Sequence, residues 1–287
     1  MEIENNNENL RSISQIFTSP SFRKIIEEGQ FDVLDNRVSK FISKDKNYTR
    51  NEQIQFIYKF LNKNYRAEYI YKNTLLNKIL LGKYSTNTST AFDEFKIGFS
   101  IADFVLLNGE AKVYEIKTEF DSLEKLDKQI KDYKKFADKI YVVSNSRFLP
   151  TLIDRYSQTS IGIIELTNRN TLRTIIKAKS NQNYFEHEII FKTLRKQEYC
   201  KIIKDYYGFI LDVPNTLIFQ ESLDLIKKIP IIDFQRNAVK ILKKRKLKCP
   251  EHLNAKSTPY ELKYLCHSLD LKEAQYLKLH KFLIQNN

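Results

Sequence analysis

The spacing of apolar residues changes its period along the chain. From Leu10 to about Asn64 these residues recur three or four positions apart, which predicts several short helices. Residues 67–81 continue the same period as a longer helix, followed by Gly82, a residue type that can take the left-handed conformation that ends helices. The first third of the chain is therefore predicted to be helical.

From residue 91 the pattern becomes one of short, β-branched, apolar runs, which are typical of strands. The Asn108-Gly109 pair favours a tight hairpin turn, and Asp121 or Ser122 is expected to cap a helix over residues 123–138. A second helix is predicted over residues 149–156 as the crossover between two parallel strands. The predicted strands are 91–97, 101–107, 111–119, the run IYVVS from Ile140 and the run IGIIEL from Ile161.

The order of these elements predicts an α/β fold, in which helices cover a mixed β-sheet. No strands are predicted after about Lys179, where Gly and Pro residues separate several helices. We therefore expect a helical N-terminal lead at residues 1–50, an α/β core at 51–180 and a basic, mostly helical C-terminal domain at 181–287.

Composition narrows the class of protein. The chain has 287 residues, a 42% hydrophobic fraction, and 48 Lys and Arg against 35 Asp and Glu, a formal net charge of +13. Such a chain can bury a core, which excludes intrinsic disorder, and its positive charge favours polyanions such as nucleic acid. The alternative explanation of the positive charge is that an AT-rich genome encodes many Lys, Asn and Ile residues. The lack of a membrane-length apolar run and the three cysteines favour a cytoplasmic location without disulfides.

The chemistry-bearing segment begins at residue 101. Alternate residues of a strand share a face, so Glu115 and Lys117 are expected side by side, and Asp103 on the preceding strand can converge with Glu115 across the turn. Two converging carboxylates repel unless a cation lies between them, and hard oxygen ligands suit Mg²⁺, with Mn²⁺ as an alternative. The Lys117 amine could then hold a metal-bound water and balance charge on a phosphate. The alternative is an exposed strand face with a weak salt bridge.

These residues resemble the PD-(D/E)XK nuclease superfamily, with Asp103 in the place of its first acid and Glu115-Ile116-Lys117 in the place of its (D/E)XK element. The following helix carries Gln129-Ile-Lys-Asp-Tyr133, which is similar to the Q-x-x-x-Y element of RecB-like nucleases. The resemblance covers about residues 67–167. More narrowly, the segment from Tyr114 to Tyr133 resembles a small, poorly characterised bacterial family of stand-alone nuclease-like proteins. Ala102 replaces the proline that often precedes the first acid.

The resemblance implies a restriction-endonuclease-like core and metal-dependent hydrolysis of DNA. Asp103 and Glu115 would bind the metal, with Glu68 on the preceding helix, or Glu94 as its rival, completing the shell. Lys117 would position water, and Gln129 would orient the site or contact the DNA backbone. Defence against foreign DNA and DNA repair are the expected settings. RNA as a substrate and a homodimer are left open.

Two further groups of residues stand out. A dense basic run in the C-terminal region is a candidate phosphate-contacting face, or else a solvated helix surface. Cys249, His252, Cys266 and a nearby histidine form a poor zinc spacing, and Cys266 fits a core position better. The alternative function for the whole chain is a catalytically inactive nucleic-acid- or protein-binding module on a nuclease fold. The candidate nucleic-acid-binding residues are Lys243, Lys244, Arg245, Lys246 and Lys248.

Overall fold

The computed structural model describes residues 7–28 and 48–286. They form two compact units: unit 1 contains the described residues of Met1–Lys83, Asn168–Asn170 and Leu247–Asn287, and unit 2 contains Tyr84–Thr167 and Thr171–Lys246. These units do not coincide with the predicted boundaries at residues 50 and 180. The helical C-terminal region is divided between them after Lys246, and most of it completes the core of unit 2. The part of the predicted N-terminal lead at residues 29–47 lies outside the described residues.

Unit 1 is helical, as the spacing of its apolar residues predicts. In the helix Arg50–Asn64, buried Ile54, Ile57 and Leu61 lie on one face, and Thr49 and Glu52 form a capping box at its start. The helix from Glu68 continues into a wider π-type turn at Leu76–Leu81. The helices of unit 1 are α1 (Asn7–Ser14), α2 (Ser19–Arg23), α3 (Arg50–Asn64), α4 (Glu68–Leu75), α11 (Pro250–Asn254), α12 (Lys263–Ser268) and α13 (Glu273–Leu283).

Unit 2 contains a six-stranded mixed sheet in the order β1-β2-β3-β4-β5-β6. Strands β1 to β3 form an antiparallel meander, β3, β4 and β5 are parallel, and β6 is antiparallel to β5. The parallel pairs require crossover connections, which the helices between these strands supply. The strands are β1 (Thr90–Ile97), β2 (Ser100–Leu107), β3 (Ala111–Lys117), β4 (Lys139–Ser144), β5 (Gly162–Leu166) and β6 (Leu172–Ile176).

Helices cover this sheet and share its core. Fully buried residues of the strands, such as Val113 and Val142, pack in one apolar cluster with Tyr133, Phe191 and Phe234 of the helices. This arrangement confirms the predicted class, a mixed sheet flanked by helices with a helical C-terminal region. The helices of unit 2 are α5 (Leu126–Lys134), α6 (Leu149–Tyr156), α7 (His187–Lys192), α8 (Lys196–Tyr207), α9 (Ile218–Ile226) and α10 (Ile231–Leu242).

Three local expectations differ from the structure. Gly82 has φ −92° and its N–H bonds to the Ile79 carbonyl, so the helix ends without a left-handed residue. Asp121 does not cap a helix: its carboxylate accepts hydrogen bonds from the Thr118 N–H and hydroxyl, and α5 begins only at Leu126. Strand β6 was not predicted.

Among the described residues, no helix is both long enough and apolar enough to cross a membrane.

Candidate active site

Asp103 and β3 are joined by a side-chain hydrogen bond at the point where regular pairing of β2 with β3 stops. The last pair of that ladder is Phe104 with Tyr114. Beyond it, the half-buried Asp103 carboxylate accepts the backbone N–H of Ile116 at 2.7 Å. Because Ile116 lies between Glu115 and Lys117, this bond fixes the carboxylate beside the Glu-x-Lys element.

Glu115 and Lys117 share one face of β3, as a period of two residues requires. The Lys117 Nζ donates to Glu115 Oε1 at 2.8 Å, and the side chain of Ile116 is buried in the opposite direction along the pleat. Glu115 is only 1% exposed and Lys117 8%. A buried ion pair of this kind needs further hydrogen bonds, because both charges have lost their water.

Helix α5 supplies those hydrogen bonds. The Lys117 Nζ also donates to Gln129 Oε1 at 3.0 Å, and the Tyr133 hydroxyl donates to Glu115 Oε2 at 2.8 Å. The same hydroxyl lies 2.7 Å from the Ile101 carbonyl oxygen on β2. Gln129 and Tyr133 are four residues apart and therefore face the same way from the helix. The structure thus brings together Asp103, Glu115, Lys117, Gln129 and Tyr133, which we call the acid–amine cluster.

Burial dominates the electrostatics of this cluster. It raises the pKa of Glu115 above the ordinary 4.5, against the opposing effects of Lys117, Tyr133 and Gln129. Burial also raises the pKa of the Tyr133 hydroxyl, and the neighbouring charges of Glu115 and Asp103 raise it further. The Tyr133 hydroxyl therefore keeps its proton and acts as a hydrogen-bond donor to Glu115.

Ser144 is a member of this region that sequence reasoning missed. It is fully buried at the end of β4, in register with Lys117, and its hydroxyl donates to the Lys117 carbonyl oxygen at 2.6 Å. A serine closing an apolar strand parallel to the Glu-x-Lys strand was the available signal. Its hydrogen bond fixes the backbone that carries the Lys117 side chain.

The two predicted candidates for a third metal ligand have different surroundings. Glu68 belongs to unit 1, where its half-exposed carboxylate pairs with Lys72 Nζ at 2.6 Å. Glu94 belongs to unit 2 and lies on β1 between the pairs Asp93–Phe104 and Phe95–Ala102, with an exposed side chain and a left-handed backbone at φ +50°. Within residues 7–28 and 48–286 no group of three or more His, Cys, Asp or Glu residues is arranged to hold a metal. A third ligand therefore stays a prediction.

The predicted basic face divides into residues with different roles. Arg245 makes a two-point ion pair with Glu198, at 2.6 Å from Nε and 2.5 Å from Nη2, so it is a structural cation. Lys246 donates to the Thr86 and Asn87 carbonyl oxygens, and Lys248, in unit 1, pairs with Asp270 at 3.1 Å. Lys243 and Lys244 have no ion-pair partner in the described part of the chain. The nucleic-acid-binding role of Lys243 and Lys244 stays a prediction.

The fold and the cluster define a mixed α/β protein with a buried acid–amine pair on the third strand of its sheet. The chain belongs to the family described as bacteriophage P4 protein cII, which it matches over residues 61–266. Protein cII of Enterobacteria phage P4 is 25% identical over 152 residues, covering 50% of this chain and 46% of that protein. The chain thus spans about half the length of this curated relative.

A solved structure of a protein of unknown function from Silicibacter pomeroyi also shows local similarity. It shares 16% identity and covers 33% of this chain and 62% of that chain, with a TM-score of 0.27. Neither comparison assigns a chemical role to the acid–amine cluster.

Proposed function

We propose that this protein is a metal-dependent phosphodiesterase that hydrolyses DNA. The observation that carries the proposal is the Lys117 ammonium, held between Glu115 Oε1 and Gln129 Oε1 on the strand that Asp103 binds. A preorganised cation stabilises negative charge that develops in a transition state, without reorganising at the moment of reaction. The combination of two acids, an amine and an amide supports the resemblance to PD-(D/E)XK nucleases.

Each residue of the cluster has a distinct part in this proposal. Lys117 positions the attacking water and balances charge that develops on the phosphate. Gln129 and Glu115 fix the direction of the Lys117 amine, while Tyr133 holds the second oxygen of Glu115. The Ile116 N–H holds Asp103 in place.

The donor chemistry of the cluster fits Mg²⁺. Asp103 and Glu115 offer carboxylate oxygens, and Mg²⁺ is usually bound through one or two carboxylates while it keeps several waters. When bound, such an ion would lower the pKa of a water ligand and neutralise charge on the phosphate. Both Glu115 oxygens already accept hydrogen bonds from Lys117 and Tyr133. Each oxygen keeps a second lone pair, so Glu115 could bind the ion while it keeps these hydrogen bonds.

The test is cleavage of single-stranded, duplex and branched DNA by the full chain, and of RNA in parallel, with Mg²⁺, Mn²⁺ or EDTA. Lys117→Ala should lower the cleavage rate by about 10²–10³-fold, the cost of removing one transition-state donor. Lys112→Ala is the matched control, because Lys112 lies on the same strand but pairs with Glu110. Absence of metal-dependent cleavage, or full activity in Lys117→Ala, would contradict the proposal.

A second candidate is a catalytically inactive module that binds nucleic acid. It is favoured by the burial of Glu115 and by the engagement of both its oxygens within the protein. In that case Lys117→Ala should leave DNA binding unchanged, while Lys243→Ala with Lys244→Ala should weaken it and reduce its salt dependence. A matched double variant is Lys201→Ala with Lys204→Ala, which removes the same charge from exposed positions of α8.

The proposed biological settings are defence against foreign DNA and DNA repair. Defence against foreign DNA and DNA repair both require a nuclease that works on cellular or invading DNA. All three cysteines are free, which supports a cytoplasmic location.

A further inference from the structure

The turn between β1 and β2 is held in one conformation by a buried carboxylate. Ile97 pairs with Ser100, so Gly98 and Phe99 form a two-residue loop. Gly98 has φ +62°, as the first loop residue of a type II′ hairpin requires. A Cβ at this position would lie 3.2 Å from Asp132 Cγ, so Asp132 packs directly under the turn.

The Asp132 carboxylate accepts hydrogen bonds from this turn. Its Oδ2 accepts the Phe99 N–H at 3.3 Å and the Ser100 hydroxyl at 2.7 Å. Asp132 is buried, and a buried carboxylate is retained only when it is well hydrogen-bonded. The result is a rigid loop whose second residue points into solvent.

That second residue, Phe99, is 90% exposed, the highest value among the large hydrophobic side chains of the described chain. Ile101, two residues further along β2, is also exposed. An exposed aromatic face can stack on an unpaired base. We call these two exposed apolar side chains, Phe99 and Ile101, the platform.

Two lysines lie beside this platform. A cavity of about 320 Å³ beside it is lined by Lys96, Gly98, Phe99, Ile189 and Lys192. Lys96 is exposed and has no ion-pair partner within residues 7–28 and 48–286. Lys192 pairs with Glu188 at 2.6 Å, but both side chains are half exposed, and such surface pairs exchange readily. An aromatic face with flanking amines matches a base with its phosphates.

The platform is also connected to the acid–amine cluster. The Ile101 carbonyl oxygen lies 2.7 Å from the Tyr133 hydroxyl oxygen, and the same hydroxyl donates to Glu115. Phe99 precedes Asp103 by four residues, a separation of about 13 Å along an extended strand. A nucleotide bound at the turn would therefore lie a few nucleotides from the phosphate at the cluster.

We propose that the β1–β2 turn is a nucleobase subsite, where an unpaired base stacks on Phe99 while Lys96 and Lys192 contact neighbouring phosphates. The inference rests on the proposed function and narrows its substrate to single-stranded DNA or DNA with unpaired bases. Bases within a duplex are already stacked on each other, so a ring at the turn could not reach their faces.

The experiment measures binding without cleavage, using the full chain in EDTA and a single-stranded oligonucleotide that contains 2-aminopurine. Stacking should quench its fluorescence, and Phe99→Ala should weaken binding by about 5- to 150-fold, which corresponds to about 1–3 kcal/mol per stacked base. Phe99→Trp should retain binding. Phe56→Ala is the matched control, because Phe56 is an exposed phenylalanine on α3 of unit 1.

Equal affinity of Phe99→Ala and the unchanged chain would overturn the inference, as would equally tight binding of an abasic oligonucleotide. No oligonucleotide binding at all would overturn it too. Base-dependent binding that requires Phe99, in a chain that cleaves no DNA with any metal, would support this subsite while contradicting the proposed hydrolysis. The two failures are thus distinguishable.

Discussion

Glu115 combines a high cost of burial with a hydrogen bond to each of its carboxylate oxygens. Its carboxylate is almost fully removed from water, and Lys117 and Tyr133 each occupy one of its oxygens. Replacing a buried ion pair with well-packed apolar residues is often neutral or stabilising. Stability alone therefore does not account for a charged pair at this place on β3, which is consistent with the proposed chemical role.

We expect Tyr133→Phe to destabilise the protein in a pH-dependent way. Burial raises the folded-state pKa of Glu115 above 4.5, so its contribution to stability is greatest below that value and is lost as the pH rises through the folded pKa. Removing the hydroxyl leaves one oxygen of the ionised carboxylate without this hydrogen bond, which should cost about 1–3 kcal/mol above the folded pKa of Glu115. The loss should shrink at pH 4, where Glu115 is protonated.

Urea denaturation of both proteins over a pH series that starts at pH 4 measures this difference. Tyr206→Phe is the control, because the side chain of Tyr206 is exposed. An equal loss at every pH would mean that Tyr133 acts through the Ile101 carbonyl and not through Glu115.

Glu198 shows the opposite pH behaviour. Although burial raises its pKa, hydrogen bonds from the Arg245 side chain and the Arg195 backbone N–H more than offset this and hold the pKa below 4.5. Its stabilising effect is therefore present above pH 4.5 and is lost as the pH falls through the folded pKa. Glu198→Gln should cost about 1–3 kcal/mol at pH 7 and much less at low pH.

Chemical denaturation across this pH range measures the effect, with Glu221→Gln as a control on the exposed face of α9. A constant difference between Glu198→Gln and the unchanged protein would contradict an ionic role for the pair. Confirmation would establish Arg245 as part of the fold and leave Lys243 and Lys244 as the candidates for phosphate contacts.

At the scale of elements, the strands that bury their side chains could be predicted from the sequence. The predicted strand 101–107 differs from β2 by one residue, and the predicted 111–119 overruns β3 by two. Strand β6 was missed because it is an edge strand whose residues are all at least partly exposed, so it lacks a clear apolar pattern. The capping role expected of Asp121 was wrong because a local turn with Thr118 competes for its carboxylate.

The candidate site was predictable to the extent that it depends on local geometry. The shared face of Glu115 and Lys117 follows from strand alternation, and the position of Gln129 follows from helix periodicity. The pairing of Arg245 with Glu198 joins residues 47 positions apart and has no local signature. The i,i+4 spacing of Glu68 and Lys72 does permit their ion pair to be predicted, but local periodicity could not show that Glu68 belongs to unit 1.

The contact between β4 and β5 predicts that substitution of Gly162 destabilises the protein. Gly162 pairs with Tyr141, and a Cβ there would lie 2.4 Å from Tyr141 Cδ1 and 2.7 Å from the Ala178 backbone nitrogen. Because backbone cannot move aside easily, Gly162→Ala should destabilise the protein by about 1–3 kcal/mol, as overpacking does. Thermal unfolding measures this loss.

Gly109→Ala is a suitable comparison, because a Cβ at Gly109 meets no atom within 4 Å, although its φ of +73° adds backbone strain. The double variant Gly162→Ala with Tyr141→Ala separates the two clashes. Recovery of stability in that variant would assign the cost to the ring. An unchanged melting temperature in Gly162→Ala would contradict the close packing of β4 and β5.

At the scale of the whole molecule, residues 7–28 and 48–286 form two apolar cores. One core contains residues from both the N-terminal helices and the C-terminal helices of unit 1, such as Ile57 and Leu279. The other contains the sheet of unit 2 together with α5 to α10. All five residues of the acid–amine cluster and the Phe99 platform belong to unit 2.

This division predicts that residues 84–246 fold without the rest of the chain, whereas residues 84–180 do not. The shorter fragment contains every strand but ends before α7, and its core would lose buried residues such as Phe191, Ile203 and Phe234. Losing even one buried Phe side chain typically costs about 3–5 kcal/mol. The free energy of unfolding of a whole domain is only about 5–15 kcal/mol. Circular dichroism and urea denaturation should show a cooperative transition only for residues 84–246. Cooperative unfolding of residues 84–180 would instead restore a boundary near residue 180 and make the later helices dispensable for the sheet.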